Sequence, residues 1–142
     1  MLARFGALCY GEDMRYLLPI LVVGTGGALG SVLRYALSLL AQRASVTFPH
    51  GTLWANLLGC LVIGMVTTLA TSTSSLTPAM RLFLATGICG GFTTMSSFIY
   101  ELVQFVRDRE FFYAGAYFAI TLVGCMALFW VGAWLVQWAW KA

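Results

Sequence analysis

Charge is what this sequence has least of. Eight Lys/Arg and five Asp/Glu make up 9% of its 142 residues, against about 25% in soluble domains. With 61% hydrophobic residues and a mean hydropathy of +0.88, that shortage excludes a water-soluble globule. There is no charge run, basic stripe or low-complexity tract, which argues against nucleic acid as a partner. His50 is the only histidine, so a zinc site or a Ser-His triad has almost no material. The four cysteines, Cys9, Cys60, Cys89 and Cys125, show no CxxC spacing. Three of them lie in apolar runs, where a thiol usually serves as a small hydrophobe. No nucleotide-binding motif is present to drive active transport.

Apolar runs are abundant instead. A membrane-spanning helix needs about 20 apolar residues, and four windows supply them: residues 17–40, 51 to about 70, about 80 to 106, and 111 to about 138. The connectors are short: "AQRASVTFPH", "TSTSSLTP" and "RDRE". Pro49 and Pro78 precede the second and third windows, a usual place for proline. Trp54, Trp130, Trp134, Trp138 and Trp140 crowd towards helix ends, as an interfacial belt does. Residues 1–13, "MLARFGALCYGED", are too short and too weakly apolar for a signal peptide. They are expected to be an extension without chemistry, before a four-helix domain over 14–142.

Four spans put both termini and the middle connector on one side of a membrane. That side holds Arg4, Arg15, Arg81 and Lys141, and the other Arg34, Arg43, Arg107 and Arg109. Orientation normally follows a Lys/Arg excess on the cytoplasmic side, and here neither side has one. The expectation is insertion both ways and an antiparallel, dual-topology homodimer.

Few residues in the spans can do chemistry. "GTGGALGSVLRY" carries the small-xxx-small pairs Gly26/Gly30 and Gly27/Ser31, which let backbones approach closely. Arg34 follows one turn later. It lies six residues from Leu40, about 9 Å along a helix, within reach of the interface as an anchor or as an anion-attracting vestibule residue. Asn56, Cys60, Ile63 and Thr67 share one face of the second span. The Asn56 amide offers two uncharged donors, suited either to holding helices together or to meeting an anion. Tyr117, Thr121, Gly124 and Cys125 share a face of the fourth span, with two hydroxyls in line.

The third span is the unusual one. "GICGGFTTMSSF" places three glycines, two threonines and two serines around Thr93, the midpoint of the window. Irregular backbone at that depth is tolerated only where it is buried in protein or lines a cavity. A break there frees carbonyls that suit a hard cation such as Na⁺, and on a two-fold axis each carbonyl would be presented twice. The competing expectation is a packing kink with threonine hydroxyls bonded to the preceding turn.

These residues resemble a known family. "GGFTTMSSF" is similar to the GGxTTFSTF signature of the Fluc/CrcB fluoride channels, and "GTLWANLLGC", "GGALGSVLRY" and the four-span layout agree with it over about residues 15–140. The resemblance implies a passive, fluoride-selective channel in a bacterial inner membrane, not an enzyme, that lowers cytoplasmic fluoride. It implies a structural Na⁺ on the Gly90 and Thr93 carbonyls at the centre of the homodimer. Asn56 would be the pore amide, Phe98 a pore phenylalanine facing fluoride, Tyr117 and Thr121 part of a polar track, and Arg34 a vestibule residue. Met95 stands where the family has its first pore phenylalanine, and Ser97 where it has threonine. An aromatic ring has a positive edge that can meet an anion, and a thioether has none.

Two rivals are weighed against this. A small dual-topology proton-coupled multidrug or cation exporter has the same size, but residues 17–40 hold no carboxylate. Glu101 is the only acid in any span, eight residues past Thr93 and closer to a helix end, and its plain structural reading is a capped or interfacial acid paired with an arginine. An intramembrane hydrolase using Ser96 or Ser97 has no base nearby.

Overall fold

The computed structural model of the chain describes residues 2–42, 48–72 and 76–141, with side chains from residue 16 onward. The side chains of Arg4, Cys9, Arg15 and Arg43 therefore lie outside the described residues. The helices are α1 (Leu2–Gln42), α2 (His50–Ser72), α3 (Pro78–Arg81), a π-helical stretch (Leu82–Cys89), α4 (Gly90–Phe92), α5 (Met95–Arg107) and α6 (Phe111–Lys141). Four segments are long and apolar enough to cross a membrane: Tyr16–Gln42, His50–Ser72, Pro78–Arg107 and Phe111–Lys141. They match the four windows expected from hydropathy, each a few residues longer at its ends.

α2 is the central helix and the most buried of the four spans. Between lipid-facing helices there is little hydrophobic drive, so association rests on close van der Waals packing. Glycine supplies it twice. Gly64 of α2 lies against the Phe129 carbonyl of α6, and Gly132 of α6 lies against the Leu61 carbonyl of α2. On the other side, α1 meets the third span through the glycines singled out in the sequence. A Cβ on Gly26 would come within 2.7 Å of the Phe83 carbonyl oxygen, and one on Gly30 would collide with the Ile88 carbonyl. The large apolar side chains of α1 and α6, such as Val32, Val123 and Trp130, point outward, the reverse of a soluble protein and the arrangement a bilayer demands.

The third span begins with Pro78 at its first turn, where the Thr77 side chain accepts from the Met80 N–H at 3.2 Å. It then widens into the π-helical stretch, a geometry rare in general and frequent at functional sites. The helix stops at Thr93 (φ −81°, ψ 155°) and Thr94 (φ −150°, ψ 114°), both extended. Thr94 caps α5 by accepting from the Ser97 N–H at 3.2 Å. The break falls on the residues that the glycine and hydroxyl pattern marked. At the far end, Arg109 takes a left-handed φ of 61°. Glu110 N–H reaches back to the Phe105 carbonyl at 2.8 Å, which closes α5 and turns the chain into α6.

Candidate functional site

Asn56 sits on α2 opposite the break and is buried. Its Oδ1 accepts from the Thr94 N–H at 2.8 Å, and its Nδ2 donates to the Thr94 carbonyl at 3.2 Å. This reciprocal pair treats one extended residue as a strand partner would, and it supplies partners that the interrupted helix cannot. One amide hydrogen of Asn56 is left over. Holding helices together and offering a donor are thus compatible roles for the same side chain.

The break also fixes which carbonyls are released. In an unbroken helix the Gly90 carbonyl would accept from the Thr94 N–H, and the Thr93 carbonyl from the Ser97 N–H. The first of these donors goes to Asn56 and the second to the Thr94 hydroxyl, while the Thr93 N–H goes to the Cys89 carbonyl at 2.9 Å. Gly90 is exposed, with open space where a Cβ would be. Neutral oxygen donors of this kind fit a hard cation. Among the described residues no group of three or more His, Cys, Asp or Glu side chains is placed to hold a metal. The Thr93 hydroxyl does bond the preceding turn, donating to the Cys89 carbonyl at 2.9 Å, so that feature of a packing kink is present beside the freed carbonyls.

Two cavities meet at Thr94, which lines both. The outer one, about 510 Å³, lies between α1, the start of α2 and α5, and is reached past Arg34, His50, Asp108 and Glu110. The inner one, about 330 Å³, is lined by Asn56, Thr93, Met95, Phe98 and Thr121 among others. Among the described residues no charged side chain lines the inner cavity. Thr121 is 4% exposed, and its hydroxyl has no hydrogen-bond partner among the described residues. A buried hydroxyl normally finds one.

The remaining residues singled out in the sequence divide between these spaces. Arg34 lines the outer cavity and donates from Nε to the Gly91 carbonyl at 3.2 Å, which ties α1 to the third span. Ser97 lines the outer cavity and accepts from the Thr94 hydroxyl at 3.1 Å. Phe98 is 1% exposed, its ring 5.1 Å from that of Tyr117. Met95 lines the inner cavity with 65% of its surface open. Tyr117 is fully buried and lines neither cavity.

Glu101 departs from expectation. Among the described residues its partners are two hydroxyls and not an arginine. Thr52 Oγ1 donates to Oε1 at 2.6 Å, and Tyr117 Oη donates to Oε2 at 2.7 Å. This cluster joins α2, α5 and α6 at the inner end of the outer cavity. Sequence reasoning passed over Thr52 and undervalued Glu101. The signal was available in helical spacing, since Thr52 is one turn before Asn56 and Glu101 one turn after Ser97.

The family model described as "CrcB-like protein, Camphor Resistance (CrcB)" matches residues 21–133. The chain is 42% identical over 121 residues to the fluoride-specific ion channel FluC of Chlorobium phaeobacteroides (strain BS1), covering 84% of this chain and 94% of that one. It is 43% identical over 113 residues to the protein of the same name from Prosthecochloris aestuarii, covering 80% and 88%. With that of Chlorobium chlorochromatii it shares 44% over 119 residues, covering 84% and 92%.

Proposed function

Because the chain belongs to the CrcB-like family, we propose that it is a fluoride-selective channel that lets F⁻ leave the cell passively, lowering cytoplasmic fluoride. The observation that carries the reading is the Thr121 hydroxyl, buried without a partner beside an uncharged cavity. An anion there would receive the hydrogen bond the protein leaves unmade. Asn56, with an N–H to spare, and Phe98 line the same space. Fluoride binds water tightly, and several neutral donors replace that water without the lasting hold of a lysine or arginine clamp. Ser97 lies on the way in, and Tyr117, through Glu101, fixes the wall that the ion passes.

The working unit is an antiparallel homodimer in a bacterial inner membrane. The even division of cationic residues between the two sides supports it, as does a central face of Gly90 with nothing opposite. Two copies would bring four freed carbonyls, from Gly90 and Thr93 of each, around one structural Na⁺. Labelling a single introduced surface cysteine from each side of the membrane should give comparable fractions, and strongly one-sided labelling would overturn the antiparallel arrangement.

The direct test of function is ion efflux from liposomes holding the purified protein, with fluoride compared to chloride. Fluoride should leave in large excess, and equal or absent fluxes would remove the assignment. A proton-coupled exporter, the other reading of a chain this small, would instead need flux of an organic cation driven by a pH gradient.

The mouth of the outer cavity gives a second measurement. Asp108 and Glu110 line it, and both oppose an entering anion. At ~10 Å in water one charge is worth about 0.4 kcal/mol, or roughly twofold in rate. Asp108→Asn combined with Glu110→Gln should therefore raise fluoride flux about fourfold at low ionic strength. The gain should shrink towards parity in salt well above 0.1 M, where screening acts within about 10 Å.

A further inference from the structure

Three of the four cysteines, from three different spans, converge on the inner cavity: Cys60 of α2, Cys89 of the π-helical stretch and Cys125 of α6. α2 and α6 approach closely on both sides of the first and last of these. A Cβ on Gly124 would sit 2.7 Å from Leu57 Cδ2, and Gly64 lies against the Phe129 carbonyl. Cys60 and Cys125 fall between those two contacts, where α2 and α6 are held together, and both line the inner cavity. None of the three is needed for the fluoride reading.

We propose that Cys60 and Cys125 form a binding site for a soft, two-coordinate divalent cation, represented by mercury(II), and that its occupation closes the inner cavity. Thiolates select soft metals. Zinc is excluded because its structural sites take four ligands, and among the described residues no third ligating group joins this pair. The charge balance favours a divalent ion. Two thiolates and one Hg²⁺ make a neutral unit, whereas a monovalent ion would leave a net negative charge in a low-dielectric interior. In the step itself two S–H bonds and the two Hg–Cl bonds of the added salt break, two S–Hg bonds form, and two chlorides leave the metal. Two protons leave through the cavity and nothing is oxidised or reduced. Cys60 is one helical turn from Asn56 on the same face, and Cys125 one turn from Thr121, so a metal bridging them stands beside the unpartnered hydroxyl.

The blocking half of this proposal rests on the fluoride reading, and the binding half does not. The test uses full-length protein carrying Cys9→Ser, treated with mercury(II) chloride, with bound mercury measured per chain and fluoride efflux measured in liposomes. The expected result is one mercury per chain, lost in Cys60→Ser and in Cys125→Ser and kept in Cys89→Ser. Efflux should fall at least tenfold on treatment and return with a dithiol chelator. Cys60→Ala and Cys125→Ala replace the serine variants if those fail to fold. Three mercury ions per chain, or one retained in both Cys60 and Cys125 variants, would overturn the bridged site. Mercury held by the pair with efflux unimpeded would overturn the blockage. A protein that carries no fluoride before treatment would count against the channel reading alone, since mercury content still decides the site.

Discussion

Fluoride flux should fall by about a thousandfold in Asn56→Asp, with the protein still eluting at its usual volume. The substitution changes one NH₂ to an oxygen. It removes the donor to the Thr94 carbonyl while keeping an acceptor for the Thr94 N–H, so half of the tether across the break survives. It also sets a carboxylate at the edge of the inner cavity. Two like charges ~4 Å apart repel by about 4 kcal/mol at an effective dielectric constant of 20, which is close to three powers of ten in rate. The loss of one buried hydrogen bond costs less, about 1–3 kcal/mol of stability. A variant that is less stable but conducts normally per folded molecule would show that Asn56 only ties α2 to the break.

The second large effect concerns the freed carbonyls. Protein purified from the start without Na⁺, in N-methylglucamine, should unfold at a lower temperature and conduct little fluoride. A cation bound only by the folded state stabilises it by mass action, about 2.7 kcal/mol when its concentration is a hundred times the dissociation constant. N-methylglucamine is too large for a compact cage of carbonyl oxygens. Flux should follow stability, because the same break orients Asn56, Met95 and Phe98 around the inner cavity. Adding Na⁺ back should restore both, and adding K⁺ should restore them less well. Stability and flux indifferent to Na⁺ would leave the Gly90 and Thr93 carbonyls as features of packing alone.

Much of the fold is written plainly in the sequence, because a bilayer imposes one strong requirement on it. Backbone groups in hydrocarbon must pair internally, so length and hydropathy alone delimit helices such as α2 and α6. The break was legible for the same reason. Glycines and hydroxyls at the middle of an otherwise apolar run contradict that requirement unless the helix stops there, and it stops at Thr93 and Thr94. Asn56 was legible as a lone amide, but its pairing with Thr94 was not, since 38 residues separate them. The Thr52–Glu101–Tyr117 cluster stayed hidden because its three members come from three helices, although Tyr117 was singled out for a different line of hydroxyls. The π-helical stretch from Leu82 to Cys89 leaves no mark at all, because "LFLATGIC" suits an α-helix equally well.

Gly59 faces Thr93 so closely that a Cβ at position 59 would occupy the place of the Thr93 Cγ2 methyl. There is room for one carbon between α2 and the break, and this chain has spent it on the threonine. Positions 59 and 93 therefore constrain each other sterically. A lineage drifting to alanine at 59 must first lose the methyl at 93, with serine as the acceptable intermediate because it keeps the hydroxyl and the backbone carbonyl. The reverse order passes through a chain whose second and third spans are forced apart, so the order of the two changes matters.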